Sequence, residues 1–166
     1  VTSPGTATES IFKWERADTD NKNMGLVFGK PLLVKVRSGS GTPAVVVGNG
    51  PNSTNDRAVL IVMNLDDGQV IKEIDTGAGS ALEPNGLFAP TGVYGPDGKT
   101  IAYVYAGDML GNVWKFDLSS PVPSGWSAKK IFSATDSGGK SQPITSGVTV
   151  AVHPITSKRW VFFGTG

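Results

Sequence analysis

The sequence predicts an all-β fold, a β-propeller of four-stranded antiparallel blades represented by about two to three blades. Three observations lead there. Short apolar runs alternate with turn clusters, a strand–turn–strand unit recurs three times, and the glycine closing each unit returns at a blade-like interval.

The first observation is one of distribution. In 166 residues the 22 glycines and 11 prolines lie between apolar runs instead of pooling in one tract, as they do in chains of many strands and turns. A composition of 39% hydrophobic and 17% charged residues suits one globular core. Disorder and helix-rich folds are disfavoured.

The repeat fixes the architecture. In the first unit Pro31-Leu32-Leu33-Val34-Lys35-Val36 is followed by a polar turn and Ala44-Val45-Val46-Val47-Gly48. In the second, Pro90-Thr91-Gly92-Val93-Tyr94 leads through Gly95-Pro96-Asp97-Gly98 to Ala102-Tyr103-Val104-Tyr105-Ala106-Gly107. The third runs from Thr145 to Val152, turns between His153 and Arg159, and ends in Trp160-Val161-Phe162-Phe163-Gly164. Gly48, Gly107 and Gly164 recur at spacings of about 58, in the upper range for one blade.

Two further strands follow each of the first two units. Residues 58–65 and 70–75 are joined by the turn Asp66-Asp67-Gly68-Gln69, and 112–117 and 128–132 by a proline-rich loop. Val113, Lys115 and Asp117 alternate with Trp114 and Phe116, which predicts a strand wet on one side. The expected organisation is a flexible segment over 1–10 and a partial propeller over 11–166, with blade units at about 29–86, 87–143 and an incomplete 144–166. Residues 11–14 read as a lone outer strand. The missing initial methionine and the interrupted third unit lead us to expect a piece of a longer protein. Its open blade edges should invite self-association, which a monodisperse monomer in light scattering would contradict.

Composition also excludes partners. A net charge of +1 is too small to drive binding to a polyanion, so nucleic acid is not expected. No apolar run approaches the roughly 20 residues of a spanning helix, and no membrane span is expected. Without cysteine there is no disulfide framework, thiolate metal site or cysteine nucleophile.

Three stretches carry a resemblance: Gly48-Asn49-Gly50-Pro51-Asn52-Ser53-Thr54-Asn55-Asp56-Arg57-Ala58, Lys72-Glu73-Ile74-Asp75-Thr76-Gly77-Ala78-Gly79-Ser80, and Tyr105-Ala106-Gly107-Asp108-Met109-Leu110-Gly111-Asn112-Val113-Trp114-Lys115-Phe116-Asp117-Leu118. With Gln142-Pro143-Ile144-Thr145-Ser146 and the closing Val161-Phe162-Phe163-Gly164-Thr165-Gly166 they resemble the propeller of the PilY-type (PilC-related) proteins of bacterial type IV pili, from about Lys13 onward. The resemblance implies a secreted, non-enzymatic adhesin and pilus-biogenesis protein at the cell surface, pilus tip or outer membrane, reached through the periplasm. It implies roles in pilus assembly, twitching motility and surface attachment, with pilins or other pilus-assembly proteins and host or abiotic surfaces as partners. Family members often hold calcium between the first two strands of a blade. Here that hairpin keeps only Asp97 and Gly98, and Ile101 or Ala102 stands where a carboxylate would be. Calcium takes 6–8 oxygens, so no metal or other cofactor is expected in this segment.

Other motifs read as structure. Asp97-Gly98 and Asp67-Gly68 are hairpin turns, and Asp18-Thr19-Asp20-Asn21-Lys22-Asn23 places a lysine within an apparent ligand ladder with no closing Glu. Asp75-Thr76-Gly77 has no second copy to make an aspartic-protease dyad. Asn52-Ser53-Thr54 matches a glycosylation sequon but is read as a turn, and Ser133-Ala134-Thr135-Asp136-Ser137-Gly138-Gly139 lacks the aromatic of a sialidase Asp-box. His153, the one histidine, precedes Pro154 in a turn. Trp114 and Trp160 are expected in the core, and Trp126 is the candidate for surface recognition. Two rival functions are a quinoprotein (PQQ-type) propeller enzyme, for which Leu65-Asp66-Asp67-Gly68 is the cue, and a carbohydrate-binding propeller resting on Trp126.

Overall fold

The structure, a computed structural model, describes residues 13–166. The segment 1–10 and the first half of the lone outer strand expected at 11–14 lie outside the described residues. Lys13 and Trp14 form no strand. Trp14 is held by its side chain instead, its indole N–H donating to the Leu65 carbonyl at 2.9 Å, and Arg16 Nε donates to Gly68 O at 3.0 Å.

Among the described residues ten strands follow: β1 (Leu32–Val36), β2 (Thr42–Gly48), β3 (Val59–Asn64), β4 (Val70–Asp75), β5 (Thr91–Tyr94), β6 (Thr100–Gly107), β7 (Asn112–Asp117), β8 (Ser127–Ser133), β9 (Thr149–Val152) and β10 (Arg159–Phe162). β1 to β4 pair in sequence as antiparallel neighbours, as do β5 to β8, giving two four-stranded blades. β9 and β10 form a hairpin of their own. The blades touch edgewise through a short parallel ladder, Lys35 opposite Thr100 and Val36 opposite Ile101. β9 starts later than the sequence suggests, at Thr149 instead of Thr145; just before that run Gln142 and Ile144 donate to the carbonyls of Ala134 and Asp108 as the connector crosses the second blade.

Side chains on a strand alternate between faces, and the two central blade strands bury both. From the first blade Ala44, Val46, Leu60 and Val62 pack against Ile101, Val104, Trp114, Phe116 and Leu118 of the second. The alternate residues Val45, Val47, Val59, Ile61 and Met63 pack under Met24 and Trp14. That explains the unbroken apolar run at Val45-Val46-Val47. A third cluster joins Tyr105 and Val113 to Ile144 and Val148, with Val150 and Val161 alongside. The face of β7 expected to be wet is therefore covered in part: Val113 is buried against the third unit, and Lys115 and Asp117 are half-buried.

A candidate binding cleft at the blade junction

The glycines that close the first two units, Gly48 and Gly107, mark close crossings, whereas Gly164 has no atom within 4 Å of where its Cβ would be. A Cβ on Gly48 would lie 2.2 Å from the Phe88 carbonyl oxygen, and one on Gly107 2.3 Å from Ile144 Cγ2. The next residue in each blade, Asn49 or Asp108, is buried and ties that crossing down. Asn49 Oδ1 accepts from Val59 N and Leu87 N, both at 3.0 Å, while its Nδ2 donates to Asn23 O and Arg57 O, both at 2.8 Å. Asp108 accepts from Asn112 N (2.8 Å), Asn112 Nδ2 (2.9 Å), Asn85 Nδ2 (3.0 Å) and Trp114 Nε1 (2.8 Å). These groups hold the blades together and leave no free atom for a ligand.

A more open arrangement lies where the blades meet. The end of β1, the β5–β6 hairpin, the residues after β7 and the start of β10 enclose a cavity of about 450 Å³ lined by Arg37, Pro96, Asp97, Tyr103, Ser119 and Arg159 among others. Arg37 Nη1 donates to Ser119 O at 3.2 Å. Arg159 Cζ stands 4.5 Å from the centre of the Tyr103 ring, and Lys115 Nζ 4.2 Å from the same point, so the ring's negative quadrupole holds two cations. Among the described residues the one ion pair is Arg57–Asp75 at 3.1 Å, and neither Arg37 nor Arg159 has a carboxylate oxygen within 4.0 Å.

The acids nearby are committed. Asp97 Oδ1 accepts from Lys99 N (2.9 Å) and Thr100 N (3.0 Å), and its Oδ2 from the Thr100 hydroxyl (2.5 Å). These bonds, the Thr100 hydroxyl first, hold its carboxyl down at about 2, against an ordinary 3.8, and Arg37 adds to the effect. Burial of Asp117 opposes ionisation, yet the Ser119 hydroxyl and N–H, with Lys115 close by, leave its carboxyl below its ordinary value.

Trp126 is corrected by the structure: it is 5% exposed, a member of the core between the blades, and no surface anchor. The 3-10 turn Pro123–Gly125 folds it back, and its indole N–H donates to Ser120 O at 2.9 Å. Trp160 reverses the other way. Expected in the core, it is 53% exposed and stacks between His153 and Phe162 at 6.1 and 6.3 Å. His153 Nδ1 accepts from the N–H groups of Ile155 and Thr156. In the apparent ligand ladder, Asn21 and Asn23 turn their amide N–H groups onto Glu73 and strap the segment to β4. Among the described residues no three of His, Asp and Glu come together as a metal would require. Arg37, Tyr103 and Arg159 carry no motif. Only the pairing of distant strands brings them together.

Edge-paired blades with fully satisfied staples and an open cleft at their junction define a propeller-type scaffold. A family model described as the PilY1 beta-propeller domain matches residues 13–166, and the chain belongs to that family. It is 37% identical to a type IV pilus biogenesis factor PilY1 homolog of Xylella fastidiosa, over all of this chain and 12% of that protein. It is 31% identical to the type IV pilus biogenesis factor PilY1 of Pseudomonas aeruginosa, over 92% of this chain and 15% of that one. The crystal structure of the Pseudomonas aeruginosa PilY1 C-terminal domain superposes with a TM-score of 0.84 at 31% identity, covering 93% of this chain and 35% of that domain. The chain thus spans about one eighth of the length of the Xylella relative.

Proposed function

We propose that this chain is a non-enzymatic binding segment of a type IV pilus biogenesis factor, acting at the cell surface or pilus tip in pilus assembly and, through it, in twitching motility and surface attachment. Family membership across residues 13–166 carries this reading. The relatives are described as biogenesis factors, which favours pilins or other assembly components as partners over a substrate. The architecture agrees with such a role, since the central strands spend both faces on blade contacts and leave loops and the junction cleft for partners. The outer strands β4 and β8 have one unpaired edge each, which supports self-association of the isolated chain. We also propose that the β5–β6 hairpin works without calcium, because the oxygens of Asp97 already serve its own turn.

Deleting the parent gene in its host and counting sheared pili by electron microscopy tests the pilus role. The expected result is loss of pili and twitching, restored by the whole gene but not by one lacking residues 31–166. Unchanged piliation and motility would overturn the reading.

A further inference from the structure

We propose that the junction cleft binds the carboxylate of an acidic peptide segment, gripped between Arg37 and Arg159. Each guanidinium carries five N–H donors in a planar fork that matches a carboxylate. Arg37 spends one on Ser119 O, and Arg159 leans on Tyr103. Three cations, Arg37, Lys115 and Arg159, gather at this junction, and the one carboxylate lining the cavity, Asp97, has both oxygens engaged by its own hairpin. Asp97 and Asp117 offset Arg37 and Lys115 only in part, so an incoming carboxylate meets net positive charge, and the two forks supply the donors it needs. The cavity, about 450 Å³, has the size of a ligand site. Tyr103 fixes the direction of Arg159 before a ligand arrives, which lowers the ordering cost of binding.

The same ring argues for peptide over sugar. A saccharide stacks on a free aromatic face, and the Tyr103 ring is occupied by Lys115 and Arg159. The proposal rests on the cleft and not on the pilus role, so either can fail alone.

The test titrates the full 166-residue chain with a blocked Ala-Glu-Glu-Ala peptide, its Ala-Gln-Gln-Ala counterpart, and a galacturonate oligomer. Amide shifts of Gly95, Thr100 and Tyr103 are followed by NMR. The glutamate peptide should move these resonances and the glutamine peptide should not. Arg37→Gln and Arg159→Gln should each weaken binding by about tenfold, and Arg159→Lys by less. Arg57→Gln, in an ion pair elsewhere, should leave it unchanged. With the unaltered chain, rising salt should weaken binding steadily. Equal response to both peptides, an equal loss in Arg57→Gln, or salt-independent affinity would overturn the proposal. Tighter binding of the galacturonate oligomer would overturn the peptide assignment.

Discussion

Asn49 and Asp108 hold the same place in two successive blades, each after the glycine that ends the second strand, and their surroundings are opposite in kind. Asn49 stands among two N–H groups and two carbonyls; Asp108 receives N–H donors alone. Loop length makes the difference. Residues 49–58 form a long excursion in the first blade, and Asn49 must reach across it to the carbonyls of Arg57 and Asn23. Residues 108–111 form a tight turn in the second, and Asp108 caps it through Asn112. An amide supplies both polarities and a carboxylate only one, so near-isosteric groups are not interchangeable here.

Exchanging them is the severest way to break the comparison. Asn49→Asp sets a buried carboxylate against two carbonyl oxygens and should cost about 3–5 kcal/mol. Asp108→Asn turns an NH₂ toward donors such as Trp114 Nε1 and should cost about 2–3 kcal/mol. Urea midpoints of the two variants check this, and near-neutral exchange at either site would refute the polarity argument.

The preceding glycines differ more gently. At Gly48 an added methyl meets backbone, the carbonyl oxygens of Phe88 and Leu87 at 2.2 and 2.5 Å, which cannot yield without moving the connector. At Gly107 it meets Ile144, with Cγ2 at 2.3 Å, Cβ at 2.7 Å and the carbonyl oxygen at 2.9 Å, of which only the Cγ2 can turn aside. Gly48→Ala should therefore cost about 3 kcal/mol and Gly107→Ala about 2 kcal/mol. Equal thermal shifts would show that the two crossings are the same.

The same contrast shows what could be read in the residues. The three hairpins and the four-strand order stood out because turn chemistry and apolar runs are local properties: Asp67-Gly68 and Asp97-Gly98 do sit in turns. Which face a tryptophan takes is set by what packs over it. Trp126 is the candidate surface anchor by sequence because it lies in a proline-rich loop, but the 3-10 turn brings it under the second blade. Trp160 looked buried because its strand is apolar, yet the hairpin carries it outward. The cleft was illegible for a similar reason. Arg37, Tyr103 and Arg159 lie on three different units, and only the β1–β6 ladder and the packing of β9 on β5 bring them together.

The smallest expected effect separates the first hairpins of the two blades. The β5–β6 turn is organised by an exposed carboxylate, Asp97, accepting from Lys99 N, Thr100 N and the Thr100 hydroxyl. The β1–β2 turn has no acid and closes through Gly41 N and Thr42 Oγ1, both donating to Ser38 O at 3.1 Å. Because folding lowers the Asp97 carboxyl from 3.8 to about 2, its contribution is complete above 3.8 and is lost as pH falls from there through about 2. Amide resonances of Lys99 and Thr100 should titrate with a midpoint of about 2, those of Ser40 and Gly41 should stay still, and Asp97→Asn should abolish the transition. A midpoint near the ordinary value would mean that the turn bonds do not persist in solution. The two hairpins would then differ in sequence but not in what holds them.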